Sequence, residues 1–379
     1  MEKLEVLDLE GNLISGTLPS NFTGLKNLKV LNLGFNEMLG GISSSLSNCV
    51  GLQVLNLAGN QFNGSIPGFV GGFRDLTGLY LSFNLLSGSI PDEIGLCGKL
   101  EHLELSGNRL TNGIPRKLKN CRGLKTLLLY SNMLEYYIPS ELGELTQLEV
   151  VDLSRNNFGG SIPSQIGNCT KLSVLVLSNL WDPFSKVSGS GNSEFTSEEY
   201  NFYEGAVPTE ITSLPSLKML WAPRATLEGR FPGNWGSCEN LKMLNLAQNY
   251  YSGEILKGFR NCKNLHFLDL SSNRLSGNIS EEMPVPCMNL FDISWNYLSG
   301  PIPKFSHEPC GPIRTNMVIR YGLTIFLLRI YLISFLVLHN FGSNSLNGPL
   351  PSMPVATERL GKKLYTRFSP AKKKSSFEM

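Results

Sequence analysis

The sequence has almost no net charge: 33 lysines and arginines stand against 31 aspartates and glutamates in 379 residues, a formal balance of +2. With no RNA- or DNA-binding motif beside it, that balance excludes nucleic acid as a partner. Histidine is scarce, and His102, His266, His307 and His339 are isolated, with no H-E-x-x-H and no Cys or Asp at ligand spacing. Paired C-x-x-C motifs are missing, which excludes a zinc site, and so are the G-x-S-x-G elbow and the protein-kinase set of glycine loop, H-R-D and D-F-G. Carboxylates are scattered with no pair singled out, so the chain is expected to be non-catalytic and to need no cofactor or metal. Met1 runs straight into Glu2, Lys3 and the first apolar strand, with no signal segment and no polar cap. The expectation is a chain that starts partway into a longer protein and whose first coil exposes core leucines.

What is present is a ladder. Asn12, Asn36, Asn60, Asn84, Asn108, Asn132 and Asn156 fall 24 residues apart, each behind an apolar triplet such as Leu4, Leu7, Leu9 or Leu28, Leu31, Leu33. This is the L-x-x-L-x-L-x-x-N pattern of leucine-rich repeats. In L-x-L the two leucines share one face of a short strand, so each coil buries them against its neighbour. The asparagine amide, placed where the chain leaves the strand, can satisfy backbone groups of adjacent coils. Gly and Pro follow four and seven residues later, as in Gly64 with Pro67 or Gly160 with Pro163, and shape the return leg. The expected fold is an α/β-type repeat solenoid: a right-handed leucine-rich repeat superhelix with short parallel strands on its concave face. Turns, 3-10 helix and extended backbone make the convex legs, since 24 residues leave no room for long helices.

The ladder also sorts the cysteines. Cys49, Cys97, Cys121, Cys169, Cys238 and Cys262 each precede the first triplet leucine by three residues, a column that elsewhere holds Leu25, Phe73, Leu145 and Leu214. A position shared by Cys, Leu and Phe is an apolar packing position, and free Cys packs as a small hydrophobe. Cys287 and Cys310 fall outside the column and could bridge in a secreted chain. The N-x-S/T sequons at Asn21, Asn63, Asn168 and Asn278 are candidate glycosylation sites in the same compartment.

Two breaks interrupt the ladder. The rung due at position 180 arrives at Asn201, which makes residues 181–200 an inserted island, a surface loop with a few aromatics that include Trp181. The pattern resumes through Ala225, Asn249, Asn273 and Asn296, so residues 1–303 form the solenoid. It is lost again over 304–338, which contains the apolar run 317–338. That run is long enough for a membrane helix, and a basic tail follows, yet Arg329 near its middle costs about 2.5 to 3.5 kcal/mol on insertion and a further rung at Asn344 lies beyond it. Two readings stand: possible membrane association through 317–338, or a second insertion packed on the solenoid. Residues 339–354 form a last repeat-like unit and 355–379 the tail.

Side chains between and just after the triplet leucines form the concave surface: Phe35, Tyr80, Phe83, Tyr130, Arg155, Trp221, Arg224 and Trp295 stand out there. Aromatics and arginine bury large area at modest entropy cost, although they also pair across neighbouring strands. Tyr130, Arg155, Trp181, Trp221 and Arg224 flank or belong to the interrupted eighth coil and are the candidate ligand-binding residues.

Forms such as LEVVDLSRNNFGGSIPSQIGNCTKL resemble the plant extracellular leucine-rich repeat. VLSNLWDPF, MLWAPRATLEGRFPGNW and ATERLGKK resemble the TOADSTOOL-type receptor-like kinases. The resemblance covers nearly the whole chain except 304–338, but no kinase domain is present. It implies a plasma-membrane, cell-surface ectodomain that recognises an extracellular peptide or a leucine-rich repeat co-receptor in developmental signalling. The alternatives are the front part of a Ser/Thr receptor kinase, or a secreted structural or inhibitor-like repeat protein.

Overall fold

The computed structural model describes residues 3–178, 201–255, 259, 261–281, 283, 288–302, 337–340, 342–347 and 364–367, with the backbone alone for 337–340 and 364–367. The island 181–200 with Trp181, residues 304–336, Cys287, Cys310 and most of the basic tail lie outside the described residues. Two compact units emerge, one of residues up to 178 with 201–204, the other from residue 205 onward. Among the described residues no helix is long and apolar enough to cross a membrane.

In the first unit each coil contributes the residues around its middle leucine to one parallel sheet. Its strands are Val6–Asp8, Val30–Asn32, Val54–Asn56, Gly78–Tyr80, His102–Glu104, Thr126–Leu128, Val150–Asp152 and Val174–Val176. Register is one repeat per strand, with Leu7 opposite Leu31, Leu31 opposite Leu55 and Leu103 opposite Leu127. Strand alternation turns the leucines inward, and Leu28, Leu31, Leu52, Leu55, Leu100 and Leu103 are fully buried. Each contributes about 2 kcal/mol of apolar burial. The first coil differs: Leu9 is 37% exposed and Leu4 and Leu7 only half-buried.

Beyond each rung a second short strand forms. These build a five-stranded sheet (Ser15–Gly16, Glu37–Gly40, Gln61–Ser65, Leu85–Ser89, Arg109–Thr111) and a three-stranded one (Glu135–Tyr137, Asn157–Ser161, Phe202–Glu204). Proline then leads into a single 3-10 turn in Gly68–Gly72, Asp92–Leu96, Arg116–Asn120, Ser140–Glu144 and Ser164–Asn168. Its buried Val70, Ile94, Leu118, Leu142 or Ile166 completes the coil's core. The second unit repeats the plan with Met219–Trp221, Met243–Asn245, Phe267–Asp269, Leu290–Asp292, Val337–Asn340 and Leu364–Arg367 in its main sheet.

The asparagine side chains lock the coils. Asn60 donates to the carbonyls of Leu33 in the previous coil (3.0 Å) and of Leu57 in its own (3.1 Å), while its Oδ1 accepts from Met38 N (2.9 Å). Asn156 repeats this with Leu129, Leu153 and Leu134. Asn201 keeps the pattern across the interruption, donating to Leu153 (2.9 Å) and Leu177 (2.6 Å) and accepting from Phe158 N. Asn344 does the same with Ile293 and Leu298. At Ala225 the amide is missing, and the backbone N–H of Ala225 instead donates to Asn249 Oδ1 (2.9 Å). The Leu177 carbonyl also accepts from the buried hydroxyl of Tyr203 at 3.3 Å, a second donor that in regular coils comes from the following rung.

The cysteine column divides, and one expectation needs correcting. Cys49, Cys97, Cys121 and Cys169 are free and fully buried, as a packing position requires. Cys238 and Cys262 instead form a disulfide, with Cα atoms 4.7 Å apart. The cause is local backbone. Each free cysteine ends a 3-10 turn with φ near −80°, and the thiols of Cys97, Cys121 and Cys169 donate to a carbonyl of the previous coil at 3.4 to 3.5 Å. Residues 231–237 form no such turn. Trp235 occupies the Val70/Ile94 place, its indole N–H bonding the Pro232 carbonyl (2.9 Å), and Gly236 and Cys238 take positive φ of 57° and 53°. That backbone brings the Cys238 sulfur to Cys262.

Candidate functional site

The outward face of the main sheet carries the residues left over once the leucines turn in. In the first unit the row through the strand ends reads Asn56, Tyr80, Glu104, Leu128, Asp152 and Val176, each opposite the next. The residue before each rung is held in the left-handed region, with φ of 54° at Phe35, 58° at Phe83 and 53° at Arg155. Glycine alternates there, and the alternation is steric: a Cβ on Gly59 would stand 2.6 Å from the Phe35 ring, and one on Gly107 at 2.6 Å from Phe83. The phenylalanines thus lie across the glycine of the following coil.

Tyr130 is 7% exposed, its ring edge-on to Phe83 at 6.1 Å across the Gly107 gap. Arg155 is half-buried beside it in sequence order, one coil on. Tyr80 stacks on His102 at 6.3 Å, and His102 Nδ1 lies 3.2 Å from Thr126 Oγ1. In the second unit Trp221 is also 7% exposed and packs on Phe267 at 5.1 Å, whereas Arg224 and Trp295 (67% exposed) face solvent. So Tyr130 and Trp221 spend most of their surface on neighbouring coils, and Phe35, Arg224 and Trp295 offer theirs. The sequons at Asn21, Asn63, Asn168 and Asn278 are all exposed.

Titratable groups on this face were not singled out by the sequence pattern. Asp152, Asp269 and Asp292 are each clamped by the serine two residues on, whose hydroxyl donates at 2.7 Å. Burial still pushes Asp152 and Asp269 up to about 6, against those bonds. Burial pushes Glu104 up to about 7. The free thiols are held protonated by burial, Cys97 and Cys169 at about 11 and Cys121 at about 12, which makes them poor nucleophiles. Among the described residues no cluster of His, Cys, Asp and Glu could hold a metal ion.

The leucine-rich repeat family matches residues 2–62 and, as single repeats, 75–97, 99–121, 147–169 and 264–285. The fold is a leucine-rich repeat solenoid. Among solved structures, the leucine-rich repeat ectodomain of the Arabidopsis receptor kinase HAESA, in complex with an N-terminally extended IDA peptide hormone ligand, is 32% identical with a TM-score of 0.69. The alignment covers 79% of this chain and 47% of that one. A TDR receptor is 26% identical with a TM-score of 0.66, over 80% of this chain and 53% of the other. The plant peptide hormone receptor RGFR1, in complex with RGF2, is 26% identical with a TM-score of 0.64, over 97% and 61%. The chain therefore spans about half the length of the first two and 61% of the third. No curated protein sequence matches the chain.

Proposed function

We propose that this solenoid is a non-catalytic, ligand-binding part of a plant cell-surface receptor of the TOADSTOOL-like group, taking an extracellular peptide or a partner receptor on its main-sheet face. The observation that carries the reading is the likeness to the HAESA ectodomain, a structure with a peptide hormone bound, at 32% identity over 79% of this chain. Exposed Phe35, Arg224 and Trp295 supply hot-spot residue types on that face. Exposed sequons at Asn21, Asn63, Asn168 and Asn278 suit a glycosylated extracellular protein. The test is calorimetric titration of candidate extracellular peptides into the purified chain. A binder should lose about ten-fold in affinity on Arg224→Ala, since one well-placed side chain is worth about 1.4 kcal/mol. Failure of every peptide and of leucine-rich repeat co-receptor ectodomains to bind would overturn the reading. It would favour a structural or inhibitor-like repeat protein.

A further inference from the structure

Glu104 stands apart from the serine-clamped aspartates of the main-sheet face. In three coils an aspartate at this point is met by the hydroxyl two residues later: Ser154 on Asp152, Ser271 on Asp269 and Ser294 on Asp292, each at 2.7 Å. The fifth coil carries Glu104 and Ser106 instead. The Ser106 hydroxyl is left buried, at 1% residue exposure, with no hydrogen-bond partner. Among the described residues Glu104 forms no ion pair and no side-chain hydrogen bond, although it is half-buried beside the buried Leu128. A carboxylate so placed keeps its charge only at a cost that an entering cation would remove.

The surroundings suit a cation. Two residues earlier on the same face, His102 is stacked on Tyr80, whose backbone lies opposite Glu104. Two residues beyond the opposite neighbour Leu128, Tyr130 meets Phe83 edge to face. Aromatic pairs thus lie on the neighbouring coils on either side of this acidic group, and aromatic rings attract guanidinium and ammonium groups. We propose that Glu104 is the floor of a subsite that takes one positively charged group of a peptide, an arginine or lysine side chain or a free amino terminus. The proposal rests on the peptide-recognition reading above and names the ligand chemistry at one coil.

The test uses the whole chain and two probes, arginine amide and its uncharged counterpart citrulline amide, titrated while ligand NMR line broadening is followed. Arginine amide should bind about ten-fold more tightly, the worth of one charge-assisted contact. Glu104→Gln should bring it to the citrulline level, and Glu104→Leu, which copies the neighbouring coil's residue, should do the same if the glutamine variant folds poorly. Asp152→Asn, whose carboxylate is already clamped, should keep the preference. Equal binding of both probes to the parent chain, or an undiminished preference in both Glu104 variants, would overturn the subsite. A peptide ligand indifferent to Glu104→Gln would sink this subsite and leave the receptor reading intact. A clear arginine preference with no peptide binder would do the opposite.

Discussion

The coils around Cys97 and Cys121 and those around Cys238 and Cys262 share the same column and the same 24-residue spacing, yet they end in different chemistry. In the first pair a proline, an aliphatic residue and a 3-10 turn put each thiol against a carbonyl of the previous coil. In the second, Trp235 replaces the aliphatic residue ahead of Cys238, the turn there is gone, and a left-handed Cys238 joins its neighbour covalently. The same second stretch also lacks a rung amide, at Ala225. A regular coil is held by many equivalent bonds, while the deviant one relies on a few particular ones.

The sharpest way to break this contrast is to remove a rung where the coils are regular. Asn156 is fully buried, donates to three carbonyls and accepts one backbone N–H. Asn156→Ala strands those groups and should cost about 4 kcal/mol in urea unfolding, since each buried unsatisfied group costs about 1 to 3 kcal/mol. Tyr203→Phe, which removes the second donor to the Leu177 carbonyl, should give a smaller loss of about 1 kcal/mol. A loss below 1 kcal/mol at Asn156 would mean that water enters the ladder and that the rungs are not what holds the coils.

The disulfide gives the next largest effect. Cys262→Ser opens a loop closed by residues 24 apart and should cost about 3 kcal/mol, with added reductant lowering the parent to the same midpoint. Cys121→Ser keeps a donor for the Ile94 carbonyl and should cost about 1 kcal/mol. If the two substitutions cost the same, the column would be energetically uniform after all. Gly236→Ala tests the cause. Its φ is +57° and its Cβ would stand 2.8 Å from the Ser213 carbonyl oxygen, so a loss of about 2 kcal/mol is expected, with slower disulfide re-formation after reduction.

These contrasts also measure what the sequence could reveal. Strand, rung and turn positions were legible because each coil asks the same side chain for the same job, and Asn201 kept that job across the interruption. The bridge was not, because a cysteine's column says nothing of its φ, which Trp235 and Gly236 alter from outside the column. Likewise the repeat pattern singles out Tyr130 and Trp221 as surface candidates, while the structure holds both at 7% exposure. Their burial depended on neighbours such as Gly107, whose missing side chain lets Phe83 reach across. Glu104 escaped notice because one methylene, not a residue class, separates it from the clamped aspartates.

The one substitution expected to stabilise is the most diagnostic for the face itself, because it concerns a regular coil that carries an avoidable cost. Asp152 is fully buried among apolar neighbours, and burial raises its pKa from the usual carboxylate value to about 6 despite two bonds from Ser154. A folded pKa above the unfolded one means that the native state binds more protons between about pH 4 and pH 6. Stability therefore falls as pH rises through that window, and the loss is complete above about pH 6. The corresponding places in other coils hold Asn32, Asn56 and Asn245, whose Oδ1 accepts the same backbone N–H. Asp152→Asn keeps that acceptor and removes the charge, and so sheds a pH-dependent cost of at most about 3 kcal/mol, in which the Ser154 bonds are already counted. The variant should be more stable than the parent at pH 7 and indistinguishable from it near pH 4. Thermal melts at both pH values decide it: an advantage that persists at pH 4 would trace to packing, and none at pH 7 would mean that the Ser154 clamp already offsets the buried charge.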